Sequence, residues 1–175
     1  MKKVTCFLWI AFIAVVSSSF GIKPTEDINW MSMEEMQAAY AKNPKPILID
    51  MYTDWCGWCK HMDKTTYKTD KVVAYINKNY YAVKYNAESK EDVLFNNKTY
   101  KFNPKYNTND LAMFLSFGEL QYPTTVFLSE LGARPAPLAG FMKPKEMEAP
   151  LKYFAERQNE QVSFIDFNKG LKKEW

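Results

Sequence analysis

The spacing of apolar and polar positions along the chain predicts alternating strands and helices. An almost unbroken apolar run from Pro46 to Tyr52 is typical of a central strand that is buried on both faces. The order of strands and helices favours an α/β sheet. Over residues 28–86, the predicted elements are an edge strand at 28–30, a helix opened by the capping box of Ser32 and Glu35, the strand at 46–52, helices at 60–67 and from 70 onwards, and a strand at 80–86.

The pattern changes between residues 88 and 108, where polar residues surround a predicted hairpin. Its strands are expected at 93–95 and 99–102, on either side of Asn96 and Asn97. We interpret this segment as an insertion. The predicted elements that follow are a helix at 109–120, a strand at 122–128, an antiparallel strand at 136–141, a helix that Pro144 introduces and that runs to Gln158, and a tail at 160–175 that packs back as a short helix.

The amino terminus predicts a secretory signal over residues 1–19. Lys2 and Lys3 precede an apolar run that ends at Val16, and three small serines follow. A membrane anchor is the alternative, but a helix needs roughly 20 apolar residues to cross a bilayer, and this run is shorter. We therefore expect an exported, periplasmic protein with one domain over residues 20–175 and no stable membrane insertion after cleavage.

Composition indicates one domain, and charge argues against nucleic acid as a partner. The chain has 175 residues, of which 47% are hydrophobic, which is enough for one sizeable core. Loss of Lys2 and Lys3 from the 23 basic residues leaves 21 against 20 acidic ones. Because the two signs alternate without a basic block, we expect no binding to nucleic acid.

The cysteines predict redox chemistry. Cys6 leaves with the signal, so the mature protein keeps only Cys56 and Cys59. A disulfide between residues three positions apart closes a very short loop and adds little stability, which favours a chemical use of the pair. A thiol at the first turn of a helix is stabilised as a thiolate, so Cys56 is the predicted nucleophile. Cys59 lies one turn further along and is predicted to resolve the mixed disulfide.

Metal binding is the main alternative use of these thiols. A haem attachment motif would need histidine at the position of Lys60, but His61 comes one residue later. Cys56, Cys59 and His61 offer three ligands for zinc or copper, whereas a structural zinc site normally has four. We therefore predict neither a metal nor another cofactor.

Four segments together resemble thioredoxin. They are the strand at 47–50, the loop at 54–60, the strand at 83–86 and the segment Tyr122–Thr125, and the resemblance extends over residues 28–158. It implies an α/β thioredoxin-like fold, with a central mixed β-sheet flanked by helices, an inserted hairpin segment and a C-terminal extension.

The resemblance also implies roles for the residues near the cysteines. Asp50 would be a buried base that accepts the proton of Cys59, with Lys84 as its charge partner. Pro123 would form a cis peptide bond beside the cysteines, where the backbone of Tyr122 can bind an extended substrate. The residues alone leave two alternatives open: Asp50 can be an exposed acid at a strand end, and Pro123 can merely begin a strand.

The residues around the nucleophile suggest a surface for substrates. Trp55 and Trp58 flank Cys56 and are expected to form an apolar rim, although either can equally belong to the core. Gly57, between the cysteines, is assigned to the same substrate-binding loop. Trp58 replaces the proline of thioredoxin, which leaves the reduction potential open.

These features lead to two hypotheses of different classes. The first is an exported thiol:disulfide oxidoreductase that reduces protein disulfides and receives electrons from a membrane protein; an oxidase or isomerase is its nearest rival. The second is a redox-inactive or metal-carrying module that binds client proteins.

Overall fold

A computed structural model describes residues 27–156 and 162–175. The predicted signal at 1–19 lies outside the described residues. Within the described ranges, no helix has the length and apolar character needed to cross a membrane. The elements in chain order are β1 (Trp30–Met31), α1 (Met33–Lys42), β2 (Ile47–Tyr52), α2 (Gly57–Lys64), a 3-10 turn (Thr66–Lys68), α3 (Asp70–Asn79), β3 (Tyr81–Asn86), β4 (Val93–Phe95), β5 (Lys98–Tyr100), β6 (Phe102–Asn103), β7 (Thr108–Asn109), α4 (Asp110–Leu115), β8 (Thr124–Leu128), β9 (Ala136–Ala139), α5 (Pro144–Ala155) and α6 (Phe164–Gly170).

The main sheet has five strands in the order β1, β3, β2, β8 and β9. The first three are parallel, and β8 and β9 are antiparallel to their neighbours. This mixed sheet with helices on both faces is the predicted thioredoxin-like fold. β2 lies at its centre, as its continuous apolar sequence predicts.

The alternation of side chains along β2 divides the core into two layers. Ile47, Ile49 and Met51 pack on one face with residues of α1 and α4, and Leu48 packs on the other face with residues of α2, α3 and α5. Because side chains two positions apart in a strand share a face, Asp50 lies on the same side as Leu48. The polar residue of this strand is therefore directed towards the helix that carries the cysteines.

The predicted hairpin is present, but its second strand is shorter than expected. β4 pairs with β5 across Asn96 and Asn97, whose positive φ angles of 47° and 61° suit a tight hairpin turn. Phe102 does not continue β5; it pairs with Asn109 in a second, two-stranded ribbon. The main-chain N–H of Asp110 donates to the carbonyl of Lys101, which extends the pairing of this second ribbon by one position.

The helix predicted at 109–120 is also shorter, because α4 ends at Leu115. Its end is marked by Phe117, which has a φ of 54°, and by Gly118, which has a φ of 84°. A left-handed residue cannot continue a right-handed helix, and this conformation is unusual for a side chain as large as phenylalanine. Gly118 is a helix-ending signal in the sequence, but nothing in the sequence indicates that Phe117 adopts a left-handed backbone.

The last residues of the chain are attached to α5 through a buried acid. Glu148 is 0% exposed and accepts hydrogen bonds from the main-chain N–H groups of Glu174 and Trp175. Lys152, one turn along the helix, donates to the same carboxylate at 2.9 Å. The ring of Trp175 contacts Tyr75 of α3 edge to face. The tail therefore packs back on the domain, and the Glu148 carboxylate and the pair of Trp175 with Tyr75 are among the contacts that hold its end.

Replacement of Glu148 by alanine is expected to lower the free energy of unfolding by about 3 kcal/mol, because Lys152 and two main-chain N–H groups lose their acceptor. Urea denaturation of the oxidised protein measures the change. Glu119→Ala, at an exposed acid, is the control and is expected to change the value by less than about 0.5 kcal/mol. Equal effects of both substitutions would contradict this role of Glu148.

Candidate redox site

Cys56 occupies the amino-terminal cap of α2. The main-chain N–H of Cys59 donates to the Sγ of Cys56 at 3.0 Å, and the N–H of Cys56 donates to the carbonyl of Thr53 at 3.1 Å. The first turn of α2 contains no acidic residue. The free N–H groups and the positive end of the helix dipole stabilise negative charge at this position. The local structure thus favours the thiolate of Cys56 whenever the pair is reduced.

The two cysteines form a disulfide, with their Cα atoms 5.3 Å apart. Cys56 is 4% exposed and Cys59 is 3% exposed. In contrast, Trp55 and Trp58 are 67% and 63% exposed, so neither ring belongs to the core. A partner must therefore dock closely against the loop between these rings before its sulfur can reach Cys56.

Asp50 lies at the centre of the sheet and is 1% exposed. Its Oδ2 accepts a hydrogen bond from the Nζ of Lys84 at 2.8 Å, and the two residues stand opposite each other in the pairing of β2 with β3. Burial raises the pKa of Asp50 from 3.8 to about 6, and the charge of Lys84 opposes part of that rise. The alternative of a solvent-exposed acid is excluded by this burial, and the role of Asp50 as a base stays a prediction.

Asp63 provides a second carboxylate that contacts Lys84, and the sequence analysis missed it. The Nζ of Lys84 contacts Oδ1 of Asp63, which lies on α2, so one ammonium bridges a carboxylate of the sheet and one of the helix. Burial acts to lower the pKa of Lys84, but the two carboxylates outweigh it and raise that pKa. Asp63 follows Cys59 by four positions on the same helix, and this spacing is the signal that could have revealed it.

One oxygen of the buried carboxylate has no protein partner. Among the described residues, no donor lies within hydrogen-bond distance of Oδ1 of Asp50 or of the hydroxyl of Thr53, although the hydroxyl of Tyr67, which pairs with Thr125, lies near enough to the carboxylate to lower the pKa of Asp50. Buried polar atoms are normally paired, so an unpaired oxygen marks a place where a proton or a water can bind. Asp50 thus combines a raised pKa with a free acceptor atom on the strand that leads into the cysteine loop.

The proline loop lies against the same surface. The peptide bond between Tyr122 and Pro123 is cis, and β8 begins at the next residue, Thr124. The ring of Tyr122 contacts that of Trp55 edge to face at 6.0 Å. Tyr122 and Pro123 also line a pocket with Trp58. The structure therefore brings the predicted substrate-binding residues Trp55, Trp58, Tyr122 and Pro123 together beside the disulfide.

Glu88 connects the inserted segment to the cysteine loop, and the sequence analysis missed it. The indole N–H of Trp55 donates to Oε1 of Glu88 at 3.1 Å, and the side-chain amide of Asn107 donates to the same oxygen at 3.0 Å. Both ends of the predicted insertion thus meet at one carboxylate. The orientation of Trp55 is set by this contact, and no local sequence signal indicates it.

Across 27–156 and 162–175, no group of three or more histidine, cysteine, aspartate and glutamate side chains is arranged to hold a metal ion.

Comparison with known sequences identifies the family. Residues 33–155 match the profile of the thioredoxin-like domain, which is more than two thirds of the chain, so the chain belongs to this family. The thiol:disulfide interchange protein DsbD of Pectobacterium atrosepticum is 25% identical over 126 residues, which make up 71% of this chain and 19% of that protein. The chain therefore spans about one fifth of the length of this relative.

Solved structures show the same fold. DsbH oxidoreductase superposes with a TM-score of 0.53 at 15% identity. The matched region covers 77% of this chain and 90% of that one. A thioredoxin-fold protein from Helicobacter pylori gives 0.55 at 17% identity, over 73% of this chain and 80% of that one. These structures agree with the family assignment, and the chain is a thioredoxin-like domain that carries a cysteine pair at disulfide distance.

Replacement of Asp50 by asparagine is expected to stabilise the oxidised protein at high pH. Because folding raises the pKa of Asp50, the protonated form of this group stabilises the folded state. Its contribution is complete below pH 3.8 and is lost as the pH rises through about 6. Asparagine stays neutral, so at pH 8 the variant should be more stable by about 2 to 3 kcal/mol, with the difference vanishing near pH 4.

Urea denaturation between pH 4 and pH 8 measures this difference. Asp92→Asn, at an acid on the surface of the insertion, is the matched control and should give a small difference at every pH. A gain for Asp50→Asn that stays constant across this range would contradict the raised pKa.

Proposed function

We propose that this protein is an exported thiol:disulfide oxidoreductase that reduces disulfides in protein substrates through the Cys56 and Cys59 pair. One observation carries the proposal: the pair starts a helix, and the strand that leads to it holds a buried carboxylate with a raised pKa and an unpaired oxygen. Membership of the thioredoxin-like family supports the same chemistry.

The proposed reaction transfers two electrons from the cysteine pair to the substrate. The thiolate of Cys56 attacks one sulfur of the substrate disulfide, and the other sulfur leaves as a thiolate that takes a proton from solvent. Cys59 then loses its proton and attacks the Sγ of Cys56. The mixed disulfide breaks, the second substrate sulfur leaves as a thiolate, and the disulfide between Cys56 and Cys59 remains.

Asp50 is the proposed acceptor of the proton that Cys59 loses, with a water molecule between them. A base is most useful when its pKa lies near the working pH, and burial brings the pKa of Asp50 to about 6. Oδ1 is the atom assigned to this step, since Oδ2 is occupied by Lys84. Lys84 holds the carboxylate in place and balances its charge.

The surface around the cysteines suits an extended protein segment. In the part of the chain that the structure describes, the main-chain N–H and C=O of Tyr122 form no hydrogen bond, so they are available to pair with a substrate backbone. Gly57 follows Cys56 and is exposed. Because it has no side chain, a substrate backbone can approach the loop closely at this position. Trp55 and Trp58 supply apolar contact area on either side.

Export and the electron donor are further parts of the proposal. Export depends on residues 1–19, whose basic start and short apolar run are those of a secretory signal. Because extracytoplasmic compartments are oxidising, a dithiol there needs continuous reduction. A membrane protein that carries electrons from the cytoplasm is the proposed donor, and protein disulfides are the proposed substrates.

An insulin-reduction assay tests the proposed activity. Wild-type protein, kept reduced by dithiothreitol, is expected to precipitate insulin, and Cys56→Ser should abolish this because the attacking sulfur is lost. Cys59→Ser should instead accumulate mixed disulfides at Cys56 that are visible on non-reducing gels. Lys60→Ala, at the exposed residue after the pair, is the control and should retain activity. Inactive wild-type protein that carries a stoichiometric metal would favour the client-binding alternative.

The reduction potential of the cysteine pair tests the direction. We expect a value nearer the roughly −270 mV of thioredoxin than the roughly −120 mV of a strong periplasmic oxidant. Equilibration with glutathione, followed by quantification of free thiols, gives the potential. A value near that of the oxidant would reverse the direction and favour the oxidase, and an intermediate value would favour the isomerase.

A further inference from the structure

The C-terminal tail carries an exposed apolar area, besides the surface where Phe141 contacts Trp58. It consists of Val162, Phe164 and Ile165, which are 43%, 38% and 65% exposed. Single exposed apolar residues are common in soluble proteins, whereas neighbouring ones usually mark a contact surface. The proposed reaction makes no use of this group.

Contacts with α5 fix the orientation of this segment. The hydroxyl of Tyr153 donates to the carbonyl of Val162 at 2.8 Å. The ring of Tyr153 also lies 5.2 Å from that of Phe164 and 5.3 Å from that of Phe167. Successive residues of a helix are about 100° apart, so Ile165 projects from a different side of α6 than these two rings. Ile165 is therefore presented to solvent by a helix that is held in place.

A groove within the tail adds apolar area beside these side chains. Its volume is about 430 Å³, and residues of the tail alone line it. The lining is apolar apart from one acid and one lysine, and it comprises Val162, Asp166, Phe167, Gly170, Leu171 and Lys172. Val162 belongs both to the groove and to the exposed group, so the two areas are continuous.

Three lysines accompany this apolar area. Lys169, Lys172 and Lys173 are exposed, and in the part of the chain that the structure describes none of them forms an ion pair. Lys169 follows Ile165 by four positions on α6, where side chains on a helix are neighbours. A lysine can lay its methylene stem along apolar surface while its ammonium group reaches outwards. The positive charges therefore border the exposed apolar side chains.

The two acids of the tail have other partners. The carboxylate of Asp166 accepts a hydrogen bond from the hydroxyl of Ser163 at 2.7 Å, at the start of α6. The carboxylate of Glu174 pairs with Lys152 of α5 at 3.3 Å. Three lysines against two acids give the side chains of residues 162–175 a net charge of +1. Because Lys152 offsets the charge of Glu174, the charge that remains exposed is positive.

The apolar group and the lysines together form the tail surface, which consists of Val162, Phe164, Ile165, Lys169, Lys172 and Lys173. An acidic protein surface would pair with the lysines but leave the apolar side chains in water. An apolar protein surface would bury those side chains but leave the ammonium groups without partners. A bilayer with anionic headgroups offers both, because its phosphates lie directly above an apolar layer. Peripheral binding of this kind strengthens with buried apolar area and with attraction to anionic lipid.

We propose that the tail surface docks the protein on anionic lipid bilayers as a peripheral membrane contact. The inference goes beyond the proposed function, because it concerns where the protein resides and does not involve the cysteine pair. Contact with a membrane would concentrate the protein beside the layer that holds the proposed electron donor.

Co-sedimentation with lipid vesicles tests the proposal. Protein without residues 1–19 is used, because the apolar run there would itself bind lipid and the described fold lies entirely after it. Vesicles of phosphatidylcholine are compared with vesicles that also contain about 30% phosphatidylglycerol, an anionic lipid. At about 50 mM sodium chloride, wild-type protein is expected to bind the anionic vesicles at least about tenfold more tightly, since each lysine near an anionic surface strengthens binding roughly fivefold. Sodium chloride at about 500 mM should remove most of this preference.

Two variants separate the charged and apolar parts of the tail surface. The first replaces its three lysines together and should reduce the preference for anionic vesicles to below about threefold: Lys169→Gln, Lys172→Gln and Lys173→Gln. The second, Ile165→Ser, keeps the charges, so it should weaken binding to anionic vesicles by at least about threefold through the loss of apolar contact.

The matched control replaces three exposed lysines of the inserted segment and changes the net charge of the protein equally: Lys98→Gln, Lys101→Gln and Lys105→Gln. It should keep the full preference for anionic vesicles, because the inserted segment lies outside the tail surface. Far-ultraviolet circular dichroism verifies that each variant is folded.

The outcomes separate this inference from the proposed function, since vesicle binding is measured on oxidised protein and needs no electron transfer. Equal binding of wild-type protein to both kinds of vesicle, or binding to neither, overturns the membrane contact and leaves the oxidoreductase proposal untouched. A preference that survives the loss of all three tail lysines would also overturn it, because the attraction would then arise elsewhere. Self-association that Ile165→Ser abolishes, seen by sedimentation velocity without vesicle binding, would assign the tail surface to a second copy of the chain and overturn the proposal as well.

Discussion

The ion pair between Asp50 and Lys84 is the constraint around which the site is organised. The parallel pairing of β2 with β3 places these residues opposite each other in an otherwise apolar layer. Burial of the Asp50 carboxylate is costly, and the ammonium of Lys84 offsets part of that cost. Asp63 extends the pair to α2, the helix that begins beside Cys56. The charges in the core therefore connect the centre of the sheet to the helix that carries the cysteines.

The sequence was sufficient for the central elements because their buried positions follow strong patterns. β2 is apolar along its length, and α3 repeats apolar positions at helical spacing, so both patterns are strong. The predictions were weakest where a few residues decide the outcome. β6 and β7 pair over two residues each, which is too short for a periodic signal. α4 stops because Phe117 adopts a left-handed backbone, and phenylalanine gives no sign of this.

The residues of the candidate site also fall into those that the sequence predicts and those that it does not. The cysteines, Asp50, Lys84 and the proline loop belong to segments that resemble thioredoxin, so the sequence was enough to name them. Glu88 and Phe141 lie outside those segments, and their importance comes from contacts with Trp55 and Trp58, which are distant along the chain. A single glutamate or phenylalanine is an ordinary residue until the fold brings it to its partner. Sequence reasoning misses such positions because tertiary packing alone creates their role.

The position of Phe141 after an edge strand has a consequence for how this scaffold can diversify. β9 pairs with β8 on one side only, and the residue that follows it is outside the sheet. A change at that point leaves the buried charges and the helix cap untouched, so the apolar surface beside the cysteines can vary independently of their reactivity. Variants that differ in this single turn would therefore keep the same cysteine pair behind a different apolar surface.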